Sequence, residues 1–144
     1  MYVIKLRAEG IGKVQAYLGK TVARAKDLRA PLMKGGNVML RSVDQNFKSA
    51  GRPNMWKPLS RVYGIRKIKQ GYSPLPLTKT GQLRRSITFR VAQKKLSIGT
   101  SVPYARYHQF GTRSLPSRPY LVFQREDLRR IETLIVQHIV KGGV

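Results

Sequence analysis

At 144 residues with 41% hydrophobic side chains, the chain is long enough for one domain with its own core and too apolar to be a disordered basic tail. It carries 29 Lys and Arg against 6 Asp and Glu, a net charge of 29 − 6 = +23, and self-repulsion on that scale points to polyanionic or acidic neighbours and so to binding before catalysis. Zero cysteines exclude a disulfide framework, a thiolate zinc site and a cysteine nucleophile. Between Asp44 and Glu126 there is no carboxylate at all, while seventeen Lys and Arg fall in that window. No apolar run approaches the ~20 residues that cross a bilayer, and the N-terminus lacks a basic stretch leading into an apolar one. The expectation is a soluble protein folded in a cytoplasm, as a single domain over 1–144.

In chain order, Tyr2, Ile4 and Leu6 alternate with Val3, Lys5 and Arg7, which reads as a half-buried strand. A period near 3.6 follows, with Ile11, Val14, Leu18, Val22, Ala25 and Leu28 on one face of an amphipathic helix. Pro31 suits the first turn of a second helix carrying Leu32, Leu40, Val43 and Phe47, with a kink or break plausible at Gly35-Gly36. Residues 51–82 lack sustained periodicity and predict a long extended loop, and loops of that length are generally either functional or disordered. A linker between two domains is the competing reading, rejected because the flanking segments are too short for separate cores. From Ser86 the period becomes two: Ile87, Phe89 and Val91, a turn near Gln93-Lys94, then Leu96, Ile98 and Thr100, a hairpin. Tyr104 to Phe110 predicts one or two helical turns, and Tyr120 to Phe123 a further strand. The last helix carries Leu128, Ile131, Ile135 and His138 on one face, has Glu126 and Asp127 in its first turn, and stops at Gly142-Gly143.

The acid–base inventory is poor. Glu126, Asp127 and Glu132 are expected to solvate or cap the last helix, and a two-metal nuclease would need clustered acids that the middle of the chain lacks. His108 has no partner in sequence that would orient it as a general base, and with His138 it cannot make up a metal site. It is read as a structural histidine satisfied by neighbouring polar groups. Gly10-Ile11-Gly12-Lys13 lacks the spacing of a phosphate loop. No catalytic residue, cofactor or metal is therefore assigned. Arg61, Arg66, Lys67 and Lys69, interleaved with Tyr63 and Tyr72, have the composition of a solvent-exposed phosphate-contacting arm; Lys79, Arg84 and Arg85 are further candidates for DNA or acidic partners. Trp56 is read as an anchor of the long loop.

An ordered set of short motifs runs through residues 47–121. It comprises Phe47, Gly51-Arg52-Pro53 and Trp56-Lys57-Pro58-Leu59-Ser60, then Leu77 and Thr80-Gly81-Gln82-Leu83-Arg84-Arg85-Ser86-Ile87. Ile98-Gly99-Thr100, Tyr104-Ala105-Arg106-Tyr107-His108-Gln109-Phe110-Gly111 and Pro116-Ser117-Arg118-Pro119-Tyr120-Leu121 complete it. In order and spacing this resembles the virion morphogenesis, or tail completion, proteins of Mu-like and related tailed bacteriophages. The resemblance implies an α+β subunit, an antiparallel sheet packed against long helices. It implies no enzymatic activity, and a ring of subunits, usually six, at the head–tail junction of the virion, joining the capsid connector to tail-tube or tail-terminator proteins around the passing DNA, with no membrane involved. The motif residues then look architectural: Thr80-Gly81 a turn, Gly111 a backbone conformation closed to other residues, and Arg118-Pro119 a fixed hydrogen-bonded contact. The alternative from another class is a stand-alone, non-specific nucleic-acid-binding protein.

Overall fold

The computed structural model describes residues 11–142, so the strand expected at 2–7 lies outside the described residues. The architecture is α+β. Helix α1 (Ile11–Lys26) and helix α2 (Arg29–Lys48) meet at a two-residue break, Asp27-Leu28. The break is fixed from three sides. The Asp27 carboxylate accepts from the Arg29 backbone N–H at 3.0 Å, satisfying a first-turn donor of α2. Leu28 N donates to Gln93 O in the hairpin turn at 2.8 Å, and His138 Nε2 donates to Asp27 O at 3.0 Å.

Helix α2 is the spine, and it runs unbroken through Gly35-Gly36, contrary to the expected kink. The glycines serve close approach instead. A Cβ on Gly36 would lie 2.4 Å from the Phe89 ring, and one on Gly35 would lie 3.2 Å from Ile131. The first contact admits the hairpin and the second admits the last helix, so packing offsets the propensity that two glycines cost. The helix ends in a Schellman arrangement, with Gly51 N donating to Asn46 O at 2.8 Å and Ala50 N to Phe47 O at 3.4 Å. Ala50 takes the left-handed position at φ 54°.

Residues 51–82 are not one extended loop. Helix α3 (Arg61–Lys69) occupies the middle, and a single turn, α4 (Gln82–Arg85), follows Gly81 at φ 70°. The Ser60 hydroxyl caps α3 by accepting from Tyr63 N at 3.4 Å. This helix escapes pattern reading because it buries no apolar stripe: Lys67 is its buried residue, while Val62, Ile65 and Ile68 are exposed.

Strands β1 (Thr88–Ala92) and β2 (Lys95–Gly99) form the expected hairpin, antiparallel with Phe89 opposite Ile98 and Val91 opposite Leu96. Among the described residues this hairpin is the whole sheet, packed on α2. Helix α5 (Ala105–Phe110) is followed by irregular chain, and Tyr120 to Phe123 do not form a strand. Their backbone is satisfied by a side chain instead. Gln109 Oε1 accepts from Tyr120 N and Leu121 N at 3.1 and 3.0 Å, and its Nε2 donates to Leu121 O at 3.1 Å.

Helix α6 (Arg125–Lys141) packs along α2 and α1 and ends at Gly142 in the left-handed conformation. Asp127 in its first turn is buried and accepts from the Ser42 hydroxyl of α2, so it joins the two helices as well as facing the dipole. Arg24 of α1 donates to Ile139 O and Val140 O at 3.3 and 3.2 Å, satisfying the last carbonyls of α6. The expected core face of α1 is only partly covered: Leu18 and Val22 are 53% and 54% exposed, Ala25 and Leu28 are half-buried, and the helix meets α6 through Arg24 and the Tyr17 hydroxyl, which donates to Val140 O at 3.5 Å.

Gly36→Ala should destabilise the protein by about 1–3 kcal/mol, although Ala favours helix by about 1 kcal/mol, because the methyl overpacks against Phe89. Denaturant unfolding of Gly36→Ala, Phe89→Ala and the double variant checks this. The double variant should be more stable than the sum of the two single losses predicts.

Candidate functional site

The motif strings converge on the C-terminal end of α2. Phe47, fully buried there, meets Trp56 edge-on at 5.7 Å and Tyr120 in a tilted contact at 5.6 Å. Val43, Ala50, Leu83, Ile87 and Ala105 close the cluster. Trp56 is thus the anchor expected, and its Nε1 donates to Pro119 O at 2.9 Å. Asn46 Nδ2 donates to Tyr120 O at 2.9 Å, while its Oδ1 accepts from Arg52 Nε at the same distance. The Tyr120 hydroxyl donates to Ala105 O at 3.3 Å. The Ser86 and Thr100 hydroxyls pair at 2.6 Å across the base of the hairpin.

Arg118 is buried, and its guanidinium makes the fixed contact anticipated. Nε donates to Lys57 O at 2.9 Å and Nη2 to Pro58 O at 3.2 Å, binding the Pro116–Leu121 segment to the Trp56–Ser60 segment. Gly111 has φ 77°, and a Cβ there would meet Ser117 N at 2.8 Å, so the turn admits no side chain.

These anchored segments enclose a cleft of about 800 Å³ between α3, α4, α5 and residues 114–118. Leu59, Leu77, Leu83, Leu115 and two prolines give it apolar walls. Lys57, Lys67, Lys79, Arg118 and His108 give it charge and polarity, and no carboxylate lines it. Lys67 departs from expectation. Expected in a solvated arm, it is 2% exposed, and its ammonium donates to Leu75 O at 2.5 Å and to the Thr78 hydroxyl at 3.4 Å. Burial, then the nearby Lys79 and Arg118 charges, push its pKa below the usual lysine value. Burial likewise lowers the Arg118 pKa.

His108 sits in the same wall, edge-on to Tyr104 at 5.8 Å. Its Nδ1 is buried with no hydrogen-bond partner among the described residues, so the expected satisfaction by polar neighbours fails at that atom. Burial first, and Arg118 second, lower its pKa from 6.5.

The other basic candidates divide. Arg61, Arg66 and Lys69 lie exposed on α3, Lys79 is exposed above the Tyr72 ring at 5.2 Å, and Arg85 is exposed with Nη2 donating to Thr80 O at 3.0 Å. Arg84 is committed elsewhere: it pairs with Asp44, which Lys48 also reaches at 2.9 Å, and the two cations lower the Asp44 pKa, Arg84 foremost. Phe110, a motif residue, is 79% exposed and takes no part in the core. Among the described residues no group of His and carboxylates could hold a metal ion.

The phage virion morphogenesis family matches residues 10–140, a span that contains every segment of this aromatic cluster and cleft. The chain belongs to that family. It is 38% identical over 114 residues to "Mu-like prophage FluMu G protein 2" of Haemophilus influenzae, covering 74% of this chain and 75% of that protein. An uncharacterized protein of Methanocaldococcus jannaschii is 27% identical over 111 residues, covering 72% of this chain and 82% of that one. No solved structure gives a significant match. In this member of the virion morphogenesis family, the motif strings form the aromatic cluster and the cleft beside it. The burial of Lys67 and the orphaned Nδ1 of His108 had no sequence signal, because both depend on how the segments fold over α3.

Well above pH 6.5 His108 is neutral in both folded and unfolded chains. Between its lowered folded value and 6.5, the unfolded chain binds more protons, so stability falls as pH falls through that window. His108→Gln should remove this part of the slope, which sets in as the pH falls towards 6.5. Parallel denaturant titrations of both proteins would read it, and identical slopes would refute it. Trp56→Phe should keep most of the packing and cost about 1 kcal/mol for the bond to Pro119, against about 3–5 kcal/mol for Trp56→Ala.

Proposed function

We propose that this protein is a structural subunit of a tailed-phage virion that closes into a ring, most simply a hexamer, at the head–tail junction and allows the tail to join. It would act without catalysis, assembled in the host cytoplasm and retained in the neck or tail. Membership of the virion morphogenesis family supports a morphogenetic role. What carries the ring reading is that large apolar side chains stand exposed on two helices among the described residues. Tyr17, Leu18 and Val22 on α1, and Val62, Ile65 and Ile68 on α3, are each about half exposed or more. Separate apolar faces on one subunit suit the head-to-tail contacts that generate rings.

The charge supports the same reading. Six copies would bring 6 × 23 = +138 formal charges around a channel. Exposed cations such as Arg61, Arg66, Lys69, Lys79 and Arg85 would face DNA in the lumen or acidic surfaces of connector and tail-tube or tail-terminator proteins. A stand-alone nucleic-acid-binding protein is the second reading, favoured only by the exposed basic face of α3.

Deleting the gene should leave filled heads and tails that fail to join, seen by electron microscopy of lysates; normal infectious particles would rule the reading out. Replacing Arg61, Arg66 and Lys69 together with Gln should leave the fold intact, because all three are exposed, while weakening DNA binding or assembly. Binding by the parent protein should be sequence-independent, and neutralising about six phosphates would lower affinity by roughly three decades between about 50 and about 200 mM salt. Salt-resistant preference for one DNA sequence would support the second reading.

A further inference from the structure

The cleft beside α3 is explained neither by the ring nor by the surface charge. Lys67 and Arg118 line it at 2% and 7% exposure, and the partners they have are carbonyl oxygens and one hydroxyl. Buried cations are ordinarily offset by an anion, because desolvation is costly and neutral acceptors compensate it only in part. Here no carboxylate lines the cleft, and Asp44 and Asp127 are engaged elsewhere, with Arg84 and Lys48 and with Ser42. Both cations keep unused donors, since two of three are engaged on the Lys67 ammonium and two of five on the Arg118 guanidinium. Two more features mark the same wall. His108 Nδ1 is buried and unpartnered, and Leu77, which lines the cleft, is held at φ 61°, a conformation that a branched residue adopts only when its surroundings impose it.

We propose that this cleft is a docking site for a carboxylate-bearing, otherwise apolar segment of a partner protein. The carboxylate lies against Lys67 and Arg118, and its aliphatic neighbours lie on Leu59, Leu77 and Leu115. A concave, mostly apolar site with a few convergent polar groups is the form such recognition takes, and charge-assisted bonds to the carboxylate supply its specificity. A nucleic-acid backbone fits less well. Phosphates meet cations that stand out into solvent, as Arg61, Arg66 and Lys69 do on the outer side of α3, whereas Lys67 and Arg118 lie at the back of an aliphatic pocket. Lys57 and Lys79, exposed at the rim, add attraction for the same sign of charge. The proposal rests on the assembly reading only for where the partner comes from.

The test uses the free full-length protein and two probes, N-acetyl-Leu-Glu-Leu-amide and its Gln counterpart, followed by NMR at the His108 ring and the Leu77 and Leu115 methyls. A five-nucleotide oligothymidylate is the third arm. The Glu peptide should bind saturably in the millimolar range and about tenfold or more tighter than the Gln peptide. Lys67→Met should erase that difference. It should also fold with an unchanged or higher Tm, because Leu75 O keeps the Thr78 hydroxyl as a donor at 2.7 Å and an unpaired buried charge is removed. Lys79→Gln, at the exposed rim, should weaken the Glu peptide several-fold and provides the second variant if Lys67→Met fails to fold. Equal affinity for the two peptides, no saturable shift with either, or displacement of the cleft signals by oligothymidylate alone would each overturn the proposal. Because the readout is on the free subunit, a negative result leaves ring assembly standing. Peptide binding by a protein whose deletion leaves particles normal would overturn the assembly reading alone.

Discussion

Burial of the Phe47 ring is the constraint from which the rest of the molecule follows. It stands at the last turn of α2 and is wedged between Trp56 and Tyr120, residues brought from opposite sides of the hairpin in sequence. Neither partner lies in a helix or strand, so their segments have no ladder to satisfy backbone groups. Side chains do it instead: Asn46 to Tyr120 O, Trp56 to Pro119 O, Gln109 to both backbone groups of Leu121, and Arg118 to Lys57 O and Pro58 O. An aromatic cluster of this size removes enough apolar surface from water to hold irregular chain in place, and the side-chain bonds then select one arrangement of it. Where such a cluster replaces a sheet, its identity resides in particular residues more than in periodic patterning. That is why short, non-periodic strings carry this part of the fold in the present chain.

The same arrangement sets the cleft and its cost. Arg118 is held by the Lys57 and Pro58 carbonyls, and Lys67 by an oxygen from the chain that returns from α3. Two cations are therefore kept in poorly solvated surroundings: burial and then Arg118 lower the proton affinity of His108, and burial, then Lys79 and Arg118, lower that of Lys67. A fold that sought stability alone would place apolar side chains at these positions. Retention of strain and unpaired charge in one concave wall is the pattern that separates a binding surface from a core.

Much of the fold was legible from periodicity, and the failures have physical causes. The hairpin and its two-residue turn, the last helix with its acidic first turn, and the turns at Gly81 and Gly111 were readable because each rests on local patterning or on a backbone conformation that glycine adopts freely. Gly35-Gly36 misled because a missing Cβ weakens a helix and also permits close approach; only the positions of Phe89 and Ile131 distinguish the two. Helix α3 was invisible because its buried residue is a lysine. Tyr120 to Phe123 look strand-like by composition, yet the amide of Gln109 takes the place a neighbouring strand would fill. Within the candidate site, Arg118 and Trp56 were found as fixed contacts, whereas the inward turn of Lys67 depends on Leu75 O, eight residues on, and no cationic run discloses that.

The charge and the apolar faces act in opposite directions, and this shapes how the proposed ring could close. Identical subunits at +23 repel, so the exposed apolar side chains of α1 and α3 are the main source of attraction that the proposed ring has between copies. The acids add little: among the described residues only Glu126 and Glu132 are exposed carboxylates outside the ion pairs. Asp27 and Asp44 are already paired within the subunit, and Arg29, the principal cause, holds the Asp27 carboxyl down at about 2. They have little left to offer a neighbouring copy. Salt shortens the reach of the repulsion to about 10 Å at 0.1 M and leaves apolar contact largely untouched, so it should favour copy-to-copy association while weakening contacts with DNA or acidic partners. Subunits would then stay apart in dilute solution at low salt and gather where an anionic surface neutralises them. In the proposed assembly that order of events would put ring closure on an existing particle, with the acidic partner arriving first and the apolar contacts completing what it begins.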